Sequence, residues 1–495
     1  MLDWYRRDYA DFNAACMREQ YLFLSGQKPH LEIARVYERY SDLFARDAID
    51  RLQQQLADTP LHFETQRAAL RRLLTFAVEQ FLENNVKELT ESINDHEAGA
   101  GIEWRGCEMT FQDAVIAIAA ERDRNARCDI YQKRLAVIAA ANDLRAERLT
   151  NLHQNARLLG HASYTALFED LHQLNYAQLA QEGQAVLIQT EAVYTTHLSN
   201  ALQRDLAVHI DEAERADCAY FTHLRSYDEQ FPAAKLLKVY RETMAGLGIS
   251  IESQTNIHID SADRPRKTSR AFCMPVLVPD EIKLVIRPIG GQSDYQAMLH
   301  ESGHAQHYGW TSAALLPEFK YAGDYALTET YAFLFDHLIS DSVWLTEFLG
   351  FTDNQNFLRA VALARLAVVR RYVAKLIYES QLHASDDLTR AADHYAKLQT
   401  SATRFKTSAM EYLSDLDDGF YSASYVRAWA LEVQLREHLR TRYGQRWWAS
   451  RHAGNFLKEI WETGDRYTAD EMAAQIGVGP IAFDPLIDEF NQLLR

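Results

Sequence analysis

The apolar residues of this chain recur with the period of a helix. Between residues 66 and 91, Leu70, Leu73, Leu74, Ala77 and Phe81 fall at i, i+3, i+4, i+7 and i+11, a single stripe on one helical face. Similar stripes run through 111–159, 164–206 and 221–247. Only 20 of the 495 residues are glycine and 10 are proline, too little turn-forming material for a strand-rich fold. With 47% apolar residues the chain can bury a large core. The expected fold is mostly α, as one large helical body or as about three domains of ~150 residues. Breaks at 97–106 (EAGAGIEWRG), at Phe231-Pro232 and at 246–266 are neither long nor polar enough to be flexible linkers, and no internal repeat is present.

Charge and cysteine usage exclude several classes of function. The formal net charge of −17 repels phosphate backbones, which argues against nucleic-acid binding. No stretch approaches 18 uncharged apolar residues, so no membrane helix is expected, and MLDWYRRDYADFNAACMREQ lacks the apolar core of a secretory leader. Cys16, Cys107, Cys128, Cys218 and Cys273 are scattered and odd in number, which reads as buried thiols in a reducing, cytoplasmic setting.

The helical pattern is interrupted most sharply between 270 and 291. AFCMPVLV, Pro279-Asp280 and EIKLVIRP read as a hairpin over 271–288, ended by Gly290 and Gly291. Ser293 and Gln296 then form an S-x-x-Q pattern that predicts a capped helix over 293–308. A lone hairpin in a helical chain leaves an open edge, and an extended peptide is one candidate to pair with it.

The predicted helix contains His300-Glu301-Ser302-Gly303-His304, an H-E-x-x-H. Histidines four apart lie one turn above each other on one face and can hold one metal ion between them. Glu301 points about 100° round the helix, within reach of water at such a metal without being a ligand. With 18 His and 69 acidic residues, about 0.09 such motifs are expected by chance. A catalytic zinc needs a third protein ligand and a position left for water. Glu329, 25 residues beyond His304 on a second predicted helix over 324–339, is one candidate. His307 and His337 are rivals.

Hairpin, glycine turn, H-E-x-x-H helix and downstream glutamate helix follow one another over about 70 residues, in an order that resembles the thimet oligopeptidase and oligoendopeptidase F family of zinc metallopeptidases. HESGHAQH (300–307), Glu329 and AFCMPVLVPDEIKLVIRPIGG (271–291) carry the resemblance, with weaker support from ARLLGHASYTALF (156–168) and DGFYSASYVRAWALE (418–432). It implies a mostly α-helical ellipsoid of two lobes around a deep substrate channel, with a short hairpin or small sheet beside the active-site helix. It also implies one zinc ion per chain, ligated by His300, His304 and Glu329, with Glu301 as general base. Short peptides are the implied substrates, hydrogen-bonded by the hairpin strand. Tyr421 and Tyr425, four apart after Gly419, match the tyrosines that stabilise the oxyanion in this family. Residues 156–495 would form the catalytic region and 1–155 a channel wall or lid, in a protein taken as monomeric by default.

Two positions depart from the pattern. Asp415 stands where thimet-type enzymes carry a histidine, and an aspartate cannot replace a cationic donor to an oxyanion. Related angiotensin-converting-type enzymes carry an acidic residue four after the ligand glutamate. Here that position is Phe333, and Asp336, one turn further, is expected on the helix surface, with support of a histidine ligand as the alternative. The alternatives are a Taq-type carboxypeptidase or a peptidyl-dipeptidase, which would need a fixed cation such as Arg427 or Arg287, and a non-catalytic helical scaffold with a metal site.

Overall fold

A computed structural model describes residues 2–495. The architecture is mostly α-helical with two small sheets. Long helices span Glu64–Gly99, Gln355–Leu382 and Tyr421–Tyr443, as the periodicity predicts for the first of them. The chain divides into two compact units, each assembled from segments far apart in sequence. The first comprises Met1–Val78, Arg225–Leu358 and Arg427–Ala482, and the second Glu79–Leu224, Arg359–Val426 and Phe483–Arg495. Residues on both sides of position 155 contribute to each unit.

In the second unit, β1 (Gly101–Trp104) and β2 (Cys107–Thr110) form an antiparallel hairpin within a stretch that reads from sequence only as a helix break. Its turn is made by Arg105 and Gly106, both at positive φ, as a tight two-residue hairpin requires. Cys107 in β2 is exposed and Cys128, Cys218 and Cys273 are half-buried, so the expectation of buried thiols holds only for Cys16.

The first unit holds a three-stranded sheet in the order β3-β5-β4. The expected hairpin forms as β4 (Phe272–Leu277) and β5 (Glu281–Val285), antiparallel with Phe272 opposite Val285 and Cys273 opposite Leu284. β5 becomes central because β3 (Ile257–Asp260), in a segment read as a break, pairs parallel to it. β4 is an edge strand and tolerates Pro275, which has no N–H to give. Ile282, Leu284 and Val285 of the central strand are fully buried, and the helix Gln292–Trp310 packs against β4 and β5. That helix also packs along the helix Tyr325–Asp336, and the two hold the residues of chemical interest.

Candidate metal centre

The helix carrying the H-E-x-x-H begins at Gln292, one residue before the expected start, with Gly291 as its N-cap. The Ser293 capping box does not form. Starting at Gln292 places Ser293 inside the helix, and the turn is satisfied from elsewhere. The Asp294 carboxylate accepts from the backbone N–H of Ile289 at 2.6 Å and of Gly290 at 2.7 Å, while Gln292 pairs with Gln296 at 2.9 Å. Gly290 and Gly291 both have φ near +90°, a conformation glycine adopts without strain.

The partner helix Tyr325–Asp336 is buried on every side from Ala326 to Asp336, as its run of apolar residues allows. Its N-cap, Asp324, is held by a forked pair of 2.9 Å hydrogen bonds from the buried Arg427. The two helices approach so closely that a Cβ on Gly303 would stand 2.4 Å from the Tyr331 carbonyl oxygen and 2.5 Å from the Ala332 Cα. Gly303, between the two histidines, is therefore what lets Glu329 reach them.

His300, His304 and Glu329 come together. Glu329 Oε2 lies 3.4 Å from His300 Nε2 and 3.8 Å from His304 Nε2, and one ligand atom from each residue lies within 4.8 Å of the others. Zinc bonds of ~2.0–2.2 Å at tetrahedral angles put ligand atoms about 3.3 Å apart, so the two separations of Glu329 from the histidines come near the edges of such a site. Among the described residues this is the one cluster of three such groups, and it includes neither His307 nor His337.

The donor chemistry fits a metal. His300 Nδ1 meets Asp336 Oδ2 at 3.1 Å and His304 Nδ1 meets Thr328 Oγ1 at 2.8 Å, so each ring's Nε2 is the nitrogen left for a ligand. Burial opposes a charge on His300, but the Asp336 and Glu329 carboxylates outweigh it and hold its pKa well above the ordinary value. The spot is thus built to stabilise positive charge. Burial lowers His304 to about 4, leaving a neutral ring with a lone pair at neutral pH.

Glu301 stands beside the cluster. Its Oε2 accepts from the Cys273 backbone N–H on the edge strand β4 at 2.7 Å. Burial raises its pKa to about 7, against the opposing pull of His300 and that N–H. A carboxylate poised near neutrality can both take up and return a proton.

The expectation of a surface Asp336 is overturned. Seven residues separate Glu329 from Asp336, about two turns, so both project from the same helix face, and Asp336 is buried against His300. Phe333, at the position of the acidic residue in the related enzymes, instead stacks on Trp429 and touches the His300 ring. Thr328 and Gly303 also escape a reading of sequence. Their signals were adjacency to Glu329 and the small residue inside the motif.

Tyr421 and Tyr425 belong to the second unit, with ring centroids 5.1 Å apart. Tyr421 lines a cavity of about 490 Å3 there, together with Arg145, Arg148, His383 and Asp418. In the same unit Asp415 is a half-buried anchor for cations. It takes ion pairs from Arg371 and Arg215 and a 2.6 Å hydrogen bond from Tyr395, and these cations hold its carboxyl below the usual range despite burial.

No protein-family model matches the sequence, and no curated protein does. Solved structures do match. PZ peptidase A with an inhibitor superposes with a TM-score of 0.70 at 15% identity, over 99% of this chain and 90% of that one. A structure described as an oligoendopeptidase F gives 0.71 at 15% identity, over 99% and 90%. Another so described, from Bacillus anthracis, gives 0.62 at 15% identity, over 96% and 85%. The chain has the oligoendopeptidase F fold. At 15% identity the likeness is one of fold, and the chemistry of this oligoendopeptidase-like chain rests on its own side chains.

Proposed function

We propose that the chain is a zinc-dependent metallopeptidase that hydrolyses short peptides. The observation that carries this reading is the convergence of His300 Nε2, His304 Nε2 and the buried Glu329 carboxylate, with Glu301 on the same helix. Peptidases among the structures sharing the fold support it.

His300, His304 and Glu329 would hold the ion, with Asp336 and Thr328 fixing the two rings. Zinc held there would supply Lewis acidity toward a water and a carbonyl. Glu301, on the ligand helix with its carboxylate held by the Cys273 backbone N–H, would take the proton of the attacking water and return it to the leaving amine. The sheet edge at β4 offers backbone groups to an extended substrate. Tyr421 and Tyr425 are the proposed phenol donors to the oxyanion, on the strength of the resemblance. Residues 1–155 are proposed to wall or cover the substrate site of the catalytic region 156–495. Five free cysteines support a reducing, cytoplasmic setting, and a monomer is the working assembly. Among the described residues no helix is long and apolar enough to cross a membrane.

Internal cleavage is favoured over removal of C-terminal residues, because the buried candidate anchor for a substrate carboxylate, Arg427, is already committed. Arg427 is buried between Asp324 and Asp470, and Arg287 pairs with Asp263 at 2.8 Å. The test is mass spectrometry of a mixed-length peptide pool treated with zinc-loaded wild type and with Glu301→Gln. Internal cuts by wild type, absent from a Glu301→Gln protein that still binds zinc, are expected. Equal turnover by the two proteins would refute the assignment.

A further inference from the structure

The segment between β3 and β4 carries an uneven share of charge. Residues 261–271 hold Arg264, Arg266, Lys267 and Arg270 against a single acid, Asp263, in a chain whose net charge is −17. Lys267 pins this loop from within. Its buried ammonium reaches the carbonyls of Asp260, Ala262 and Ile286 at 2.7, 3.0 and 2.8 Å and the Asp260 carboxylate at 3.1 Å. Thr268 adds a 2.9 Å bond from its N–H to the Leu24 carbonyl, and its Oγ1 accepts from the Arg270 N–H at 3.3 Å.

The neighbouring acids are committed within this architecture. Asp260 is shared by Lys267 and Arg264, and Asp263 pairs with Arg287 at 2.8 Å. Arg266 and Arg270 are left over, both exposed, and neither forms an ion pair among the described residues.

Arg270 stands close to the reacting groups. It is three residues from Cys273, whose N–H holds Glu301 at 2.7 Å. Three residues of chain at ~3.5 Å each keep the Arg270 backbone within about 10 Å of that contact, and its long side chain extends the reach. The Arg270 charge acts on the Glu301 carboxylate. Residues 270–273 also lead into the edge strand β4. An extended peptide laid on that edge advances ~3.3 Å per residue, so a span of about 10 Å covers about three residues from the bond presented to Glu301.

We propose that Arg270 selects substrates by pairing with a carboxylate side chain within about three residues of the scissile bond. The inference rests on the peptidase reading above and names a substrate class for it, peptides with Asp or Glu near the cut. A guanidinium offers a carboxylate two parallel N–H donors, and those of Arg270 are not taken by an acid of the described chain. The overall negative charge by itself disfavours acidic peptides, and the positive loop at the entrance to β4 reverses that preference locally.

The test uses zinc-loaded protein and peptides blocked at both termini, with Glu, Gln or Lys stepped through the positions around the cut. Wild type should show a kcat/KM ~2–5-fold higher for Glu than for Gln at one position, the size of a solvent-exposed ion pair, and added salt should erode the difference. Arg270→Ala should lose the preference and Arg270→Glu should favour Lys. Arg266→Ala removes the same charge from the same loop and should keep the preference for Glu. Isothermal titration of the same peptides into metal-free wild type and Arg270→Ala reads the selection without turnover. Equal kcat/KM for Glu and Gln peptides, a preference that survives Arg270→Ala, or its equal loss in Arg266→Ala would overturn the proposal. So would a preference seen only when the C-terminus is left free, which would assign Arg270 to the terminal carboxylate. Absence of Glu301-dependent cleavage, with the binding preference intact, would refute the zinc reading alone.

Discussion

Adding one methyl group at Gly303 should disassemble the metal centre from within. Alanine is the better helix former by about 1 kcal/mol, so in a helix with free space around it the change would stabilise. Here the new Cβ would stand 2.4 Å from the Tyr331 carbonyl oxygen, 2.5 Å from the Ala332 Cα and 2.8 Å from its nitrogen. All three are backbone atoms of the partner helix and cannot swing aside. Restoring the 3.4 Å of ordinary contact from 2.4 Å requires the helices to part by about 1 Å. Carried to the site, that shift takes the 3.4 and 3.8 Å separations of Glu329 from the two histidines to about 4.4 and 4.8 Å, well beyond the ~3.3 Å edge of a zinc tetrahedron. Overpacking against rigid backbone belongs at the upper end of the ~1–3 kcal/mol range. After the gain in helix propensity, a net loss of about 2 kcal/mol remains. Thermal unfolding and zinc titration by chelator competition read the two effects separately. Gly303→Ala should unfold at lower temperature and bind zinc at least ~10–100-fold more weakly. Gly99→Ala, with nothing within 4 Å of its Cβ, should show neither loss. A Gly303→Ala protein with wild-type zinc affinity and stability would refute the close-approach reasoning.

Asp336→Asn should weaken zinc binding ~10–100-fold in the same titration, because His300 loses the carboxylate that orients its ring. Glu379, fully buried in the second unit, is raised to about 8 by that burial, with Lys375 opposing. The folded protein therefore holds a proton there that the unfolded chain releases near pH 4.5. This contribution to stability is full below about 4.5 and is lost as pH rises through about 8. Glu379→Gln should accordingly flatten the fall in unfolding temperature between pH 5 and 9, and an unchanged profile would contradict the assignment. Asp415→His, which installs the histidine of thimet-type enzymes, should destabilise by roughly 3–5 kcal/mol, since Arg371 and Arg215 lose their shared anion. Denaturant unfolding followed on the second unit would register it.

Local chemistry was legible residue by residue. The i, i+4 spacing of His300 and His304 places both rings on one helix face wherever that helix sits, and the hairpin at 271–288 announced itself through two short runs around Pro279-Asp280. Strands β1 and β3 were not legible. Each is four residues long, and β3 is a strand because β5 lies beside it, a partner more than twenty residues away. The Ser293 cap failed for a related reason. A capping pattern states what a side chain can do, and Asp294 and Gly291 had already ended the turn one residue earlier.

Asp336 and Asp415 show where sequence stops. Asp336 ends a helix and Asp415 lies in a turn, and spacing along the chain cannot say what stands opposite either. One meets a histidine of the metal cluster and the other two arginines, partners from 36 and from 44 and 200 residues away. The sequence by itself determined which side chains share a helix face, because helical geometry is set by neighbours a few residues apart. Only the tertiary structure decided which faces meet and how closely, because that depends on whether distant backbones fit. At Gly303 the fit turns on a single absent methyl group.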